Sequence, residues 1–422
     1  MKNLSLILLF LLIGLKVSFA QVLSPVVKPH PGFDYARLAQ IDAISKQYVA
    51  NNWLVGSVVL VVKDNQVVYY KGLGYADAAS KKPMPADAIF RIMSQTKAIT
   101  SLGIMQLFEQ GKLGLDQKVS DFIPEFKNPQ VIKDYDPKDT SYTTIPAKRE
   151  ITFRDLLTHT SGIDYAAIGS DKMTAVYAKA GIPSGLGNIN MSLLAAMKKL
   201  GTLPLVHQPG EKFTYGLNCD LLGCLIEIIS GKSLEEYCVE NIFKPMGMRD
   251  TYFNVPSEKA GRLPTVYTED DQNKIIVWSP TFRNLDPAYP LIPKTFFSGG
   301  AGLSSIAFDY AVFLQMLLNG GSYNGKQILG RRTAELMVSP QLDDKMFGND
   351  NFSLGFSVTS KKSANLQMRN EGSFSWGGYY GTTYWADPKE NLICLIMTQQ
   401  TPNSHGDYTG KIENVIYGSL KK

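Results

Sequence analysis

An α/β (α+β) fold is what this chain predicts: one antiparallel sheet built from both chain ends, flanked by helices, with a mostly helical lobe inserted between. Two hairpin patterns, one near each end, and helix-period apolar spacing between them carry that expectation. Ala36 to Val49 opens the pattern as a helix. Ser57 to Val62 and Gln66 to Tyr70 are apolar and β-branched, split by Asp64-Asn65, a hairpin signature. An apolar helix then runs from Ser94 to near Gly111. The stretch from about Leu113 to Ala301 reads as helices with long loops. One of them is marked by a capping box, Ser233 to Glu236, opening Leu234 to Asn241. Another runs from Ile306 to Leu318 and stops at Asn319-Gly320-Gly321. Tyr379 to Ala386 and Leu392 to Thr398 form the second hairpin around Asp387 to Asn391, and Gly410 to Tyr417 closes the chain as a helix. The sheet lobe is thus expected over about 33–93 and 302–422, the helical lobe over about 94–301. Internal repeats and low-complexity segments are lacking.

Residues 1–20 read as a secretory signal: a basic start at Lys2, an apolar run from Leu4 to Leu15, and small residues in Ser18-Phe19-Ala20. The run is short for a membrane span. The expected product, 21–422, is exported, periplasmic or secreted, with no membrane span once the signal is cleaved. Lys and Arg number 43, two of them in that leader, against 38 Asp and Glu, which leaves a net charge of +3. The basic residues are scattered, so nucleic acid is not an expected partner. Cys219, Cys224, Cys238 and Cys394 fit no metal spacing and read as buried small hydrophobes.

Chemistry is concentrated in Ser94-Gln95-Thr96-Lys97. Residues three apart share a helix face, so the Lys97 amine can reach the Ser94 hydroxyl. A serine needs its proton taken before it attacks. A lysine with a lowered pKa could take it. So could a tyrosine phenolate beside a lysine ammonium, or the proton could be shared among Ser94, Lys97 and Tyr215. Tyr215 follows the turn Gln208 to Glu211 in Phe213-Thr214-Tyr215-Gly216-Leu217-Asn218. With 21 tyrosines in the chain, simple packing is the ordinary role for any one. Ser375-Trp376-Gly377-Gly378-Tyr379-Tyr380-Gly381 reads as an edge strand opening the late hairpin. Its glycines let a backbone or ligand approach closely, and a bulge at a sheet edge explains them equally well.

Taken together these segments resemble the serine β-lactamase-related superfamily: class C β-lactamases, DD-peptidases and family VIII carboxylesterases. The resemblance extends to Ile151 to Gly162 (with Leu156-Leu157-Thr158-His159-Thr160-Ser161-Gly162), Gln208 to Tyr215, Pro245 to Thr251 and Ser298 to Ser305, in family order. It implies Ser94 as nucleophile, Lys97 as its proton partner and Tyr215 as general base, with the Ser94 and Tyr379 N–H groups as oxyanion hole. His159 is implied to shape a loop. Trp376, Gly377, Gly378, Tyr380, Asn218 and Tyr165 are the expected substrate-binding residues. No metal or organic cofactor is implied.

Two departures point to the sub-family. Class C enzymes read Tyr-x-Asn, and here Leu217 stands two after Tyr215, with Asn218 one step on. The third motif normally brings a cation for the carboxylate of a β-lactam, and here Trp376 stands first. Trp376-Gly377-Gly378, with Tyr215, Asp220, Leu222 and Gly223, is similar to family VIII carboxylesterases. The resulting expectation is a serine hydrolase of esters, and of amides as a lesser activity, with weak or no β-lactamase activity. The alternatives are a β-lactamase or DD-peptidase acting on β-lactams or cell-wall peptides, and a non-catalytic binder of such peptides. Four histidines and no G-x-S-x-G elbow argue against a Ser-His-Asp hydrolase, and no H-E-x-x-H supports zinc chemistry. The pocket walls fall to the loops of about Asp164 to Met191 and Val266 to Pro293, which pattern reading does not fold.

Overall fold

The computed structural model describes residues 22–186, 191–342 and 345–421. The predicted signal segment lies outside the described residues. Near the N terminus, Gly56–Lys63 (β1) and Gln66–Asp77 (β2) form an antiparallel hairpin. Its turn residues Asp64 and Asn65 both have positive φ, +50° and +60°, as a two-residue turn of this hand demands. Lys82–Pro83 (β3) extends the outer side. The C-terminal third adds Asn351–Phe352 (β4), Ser357–Val358 (β5), Phe374–Gly377 (β6), Thr383–Asp387 (β7) and Leu392–Met397 (β8). The eight strands lie in the order β4-β5-β6-β7-β8-β1-β2-β3. The two chain ends meet where β8 pairs with β1, from Val58↔Met397 to Lys63↔Leu392.

β1 is buried on both faces, and its alternation divides two cores. Val59 and Val61 pack with Leu38, Ile41, Ile412 and Ile416 of the terminal helices, which include Gln40–Ala50 (α1) and Tyr408–Gly418 (α5). Val58, Leu60 and Val62 face the larger core, which runs through Thr96–Glu109 (α2), Asn218–Ser230 (α3) and Ala307–Leu318 (α4). Each such side chain taken from water contributes roughly 1.5–3 kcal/mol, which is why the sheet is pinned in register. Among the described residues no helix is long and apolar enough to cross a membrane.

Several expectations shift in detail. The first helix breaks at Ala39 into Tyr35–Leu38 and α1. The capping box at Ser233 is present, but its helix passes into a π-helical turn, Val239–Phe243. Two small hairpins in the middle region, Gln130–Tyr135 with Tyr142–Pro146 and Tyr267–Glu269 with Ile275–Val277, were not legible as strands. Residues 142–146 are exposed throughout and carry no apolar alternation. The late strand starts at Thr383, not Tyr379, because Gly378 to Thr382 form a tight turn. Trp376 therefore belongs to β6, which is not an edge strand. β5 pairs with it only through Ser357↔Ser375 and Val358↔Phe374, leaving the last two residues, Trp376 and Gly377, paired to β7 alone.

Candidate active site

Ser94 lies in a single turn of 3₁₀-helix, Met93–Gln95, that leads into α2. Met93 before it is buried and holds a φ of +47°. That left-handed backbone on a bulky residue is strained and persists only where packing over-determines it. Helix geometry leaves the first N–H groups without partners. The Ser94 amide has no acceptor among the described residues, and neither does the Tyr379 amide just after the Gly378 turn.

Lys97 is 2% exposed, buried one turn further on. Its Nζ donates to Ser94 Oγ at 3.1 Å, to Tyr165 Oη at 2.8 Å and to the Gly300 carbonyl at 2.7 Å. It also stands 4.6 Å from the centre of the Tyr215 ring. Burial alone pushes an ammonium down, but the facing Tyr165 and Tyr215 phenols outweigh it and hold Lys97 above the ordinary lysine range. Lys97 is therefore an ammonium at rest. The Ser298 to Ser305 segment that carries Gly300 is docked on α2 by Thr100 Oγ1 to the Gly299 carbonyl and by the Leu303 N–H to Thr96 Oγ1. Behind it, buried Asp220 accepts from Ser298 Oγ at 2.5 Å. Burial raises the Asp220 carboxyl, with that bond pulling it back.

Tyr215 is held by its neighbours in sequence and space. The Thr214 N–H donates to the His159 carbonyl at 2.7 Å, and the His159 ring packs 5.0 Å from that of Tyr215. The Trp376 indole N–H donates to the Tyr215 phenol oxygen at 3.4 Å. Trp376 brings no charge, yet it does bring a donor to the oxygen that would hold a serine's proton. His159 is buried, and burial together with Lys97 holds its imidazole well below the usual range, so it is neutral.

These groups open into a cavity of about 980 Å³, lined by Met93, Ser94, Tyr165, Ile168, Tyr215, Leu285, Trp376, Gly377 and Tyr379 among others. Of the predicted residues, the structure brings Ser94, Lys97, Tyr215, Tyr165, Trp376, Gly377 and Tyr379 together. Three predicted substrate contacts it places elsewhere. Asn218 is fully buried, its carboxamide spent on His159 Nδ1 at 2.9 Å and on the Ser161 hydroxyl, so it braces the loop and does not face substrate. Tyr380 is fully buried in a separate cluster with Met93, Val266, Trp278 and Tyr289. Gly378 lies under the turn, where a Cβ would collide with Thr382 Oγ1 and the Ile92 carbonyl. Tyr165 does line the cavity, but as the phenol bonded to Lys97. Sequence reasoning missed that bond, Gly300 as a Lys97 acceptor, and Arg283 in the cavity wall. The Ser298 to Ser305 motif signalled the second; only the length of the Val266 to Pro293 loop hinted at the third. All four cysteines are buried and unpaired.

The eight-stranded sheet, its helical lobe and a serine–lysine–tyrosine cluster at their junction define a β-lactamase/transpeptidase-like fold. The chain belongs to the Beta-lactamase family, whose model matches residues 41–414. It is 26% identical to esterase EstB of Burkholderia gladioli over 389 residues, covering 90% of this chain and 95% of that one. It is 27% identical to a putative D-alanyl-D-alanine carboxypeptidase of Escherichia coli (strain K12) over 427 residues, covering 96% and 92%. Among solved structures, EstCE1, a hydrolase with promiscuous acyltransferase activity, superposes with a TM-score of 0.79 at 28% identity, over 91% of this chain and 99% of that one.

Proposed function

We propose that the protein is an exported serine carboxylesterase working through a Ser94 acyl-enzyme. The observation that carries this reading is the 3.1 Å contact of Ser94 Oγ, at the wall of a largely apolar cavity, with a buried Lys97 behind it. Ser94 Oγ attacks the ester carbonyl carbon while its proton passes to Tyr215 acting as a phenolate base, with Lys97 Nζ 4.6 Å from its ring centre and the Trp376 N–H 3.4 Å from its oxygen. The oxyanion is received by the Ser94 and Tyr379 N–H groups. Tyr215 returns the proton to the departing alkoxide, and water then cleaves the acyl-enzyme by the same route.

Preference for esters over β-lactams rests on Trp376. At the position where the family's third motif carries a cation, its indole packs against Tyr215 and Phe352 instead. A lost charge-assisted hydrogen bond is worth about 1.5–3 kcal/mol, or roughly ten- to a hundredfold in β-lactam capture. Similarity to an esterase, EstB, and to a hydrolase, EstCE1, supports an ester-cleaving reading. The test is paired kinetics on p-nitrophenyl butyrate and nitrocefin with wild type and Ser94→Ala. Ester turnover well above nitrocefin turnover, both lost in the variant at unchanged circular dichroism, is the expected result. Efficient nitrocefin turnover would place the protein with the β-lactamases, and wild-type-like Ser94→Ala activity would end the proposal.

A further inference from the structure

Among the described residues lining the cavity, Arg283 is the only charged side chain. It stands on the Val266 to Pro293 loop, which pattern reading does not fold. Arg283 and Asn284 both hold φ of +53°, a left-handed pair that the chain adopts only when its surroundings impose it. Those surroundings are visible. The Trp278 indole N–H closes the loop onto the Leu285 carbonyl at 2.9 Å, and its ring packs edge-on against Tyr379 and Tyr380. Arg283 Nη1 donates to Tyr379 Oη at 2.7 Å, and its guanidinium lies 5.6 Å from the Phe282 ring. Among the described residues no carboxylate pairs with Arg283, and a single one of its N–H donors is engaged. With the Tyr379 oxygen accepting from Arg283, the phenol's own proton is left to donate outward.

We propose that Arg283 and the Tyr379 hydroxyl form an anion clamp that selects substrates carrying a carboxylate remote from the bond to be cleaved. The chemistry fits one such group on an otherwise apolar body. Guanidinium presents parallel N–H groups that match a carboxylate, and a wall of Ile168, Leu186 and Leu285 accommodates the hydrocarbon. Tyr379 ties the clamp to the reaction, since its backbone N–H is the second donor assigned to the oxyanion. The inference deepens the Ser94 reading by naming the substrate class of that same site, half-esters of dicarboxylic acids and their relatives.

Two measurements test it, one independent of catalysis. Binding of 4-phenylbutyrate and 4-phenylbutanamide by titration calorimetry, in wild type and Arg283→Gln, reads the clamp alone. The glutamine retains a donor for Tyr379 but removes the charge. Turnover of mono-p-nitrophenyl adipate against p-nitrophenyl hexanoate reads it in the reaction. The acid-over-neutral preference should fall about ten- to a hundredfold in Arg283→Gln in both assays, with Arg283→Lys between. No preference in wild type, or the same preference in Arg283→Gln, overturns the clamp. A binding preference that depends on Arg283 in a protein that turns over neither ester supports the clamp and overturns the esterase reading.

Discussion

Lys97 Nζ is bonded to the phenol oxygen of Tyr165 at 2.8 Å, while of Tyr215 it meets the ring, 4.6 Å from its centre. The two tyrosines flanking one ammonium are thus not equivalent. Burial pushes the Tyr165 phenol up, with Lys97 pulling it back, so Tyr165 stays protonated and orients the lysine. Tyr215, with its oxygen on the Trp376 donor, is the tyrosine proposed to take the serine's proton. Tyr215→Phe should therefore lower kcat by about 10²–10⁴. Tyr165→Phe should cost about tenfold and shift the alkaline limb of the pH–rate profile. Steady-state kinetics across pH separates the roles, and a deeper loss in Tyr165→Phe would exchange them.

Asn218 was expected to contact substrate and instead closes a buried network. Its carboxamide links His159 Nδ1 to the Ser161 hydroxyl with no exposure. Truncation leaves those groups unpaired, at a cost of about 1–3 kcal/mol. Asn218→Ala should lower Tm by several degrees and reduce kcat through the His159–Tyr215 packing, with KM nearly unchanged. A large KM effect at wild-type Tm would restore the substrate role.

The sheet and the nucleophile were legible because their signals are local. A hairpin turn with two residues of positive φ announces itself as Asp64-Asn65, and Ser94 and Lys97 share a face by helix geometry alone. The bonds from Lys97 to Tyr165 and Gly300 were not, since they span 68 and 203 residues of sequence. Arg283 was hidden more deeply. Nothing in Thr281-Phe282-Arg283-Asn284 marks a binding residue, and its direction is set by loop strain and by Trp278 packing on Tyr379. Asn218 and Tyr380 erred for the opposite reason: nearness in sequence to a functional residue says nothing about which side of the backbone faces the cavity.

Asp309, on α4, carries a pH prediction for stability. Burial pushes its carboxyl up to about 7, against bonds from the Asp250 N–H at 2.6 Å and the Thr251 hydroxyl at 3.1 Å. The raised value means the folded state binds this proton more tightly than the unfolded chain. Its stabilising contribution is whole below the ordinary carboxyl range and is lost as pH rises through about 7. Asp309→Asn, which imitates the protonated form, should exceed wild type in Tm by a margin that grows from pH 5 to pH 8. Thermal melts at the two pH values decide this, and a variant equally altered at both would remove Asp309 as the cause.

Gly378 carries the sharpest prediction about the oxyanion site. Its N–H donates to the Thr382 carbonyl at 2.7 Å, and the Gly381 N–H donates back to its own carbonyl at 2.9 Å, which fixes the turn that presents the Tyr379 amide. A methyl group there meets the Ile92 carbonyl and Thr382 Oγ1. Ile92 lies two residues before Ser94, so relief must separate the two strands of backbone that carry the two donors. Loss of one oxyanion donor costs about 10²–10³ in kcat. Gly378→Ala should show that loss with Ser94 still labelled, more slowly, by a fluorophosphonate, because Lys97 and Tyr215 remain in place. Wild-type kcat in a folded Gly378→Ala protein would mean that the Tyr379 amide does not serve the oxyanion.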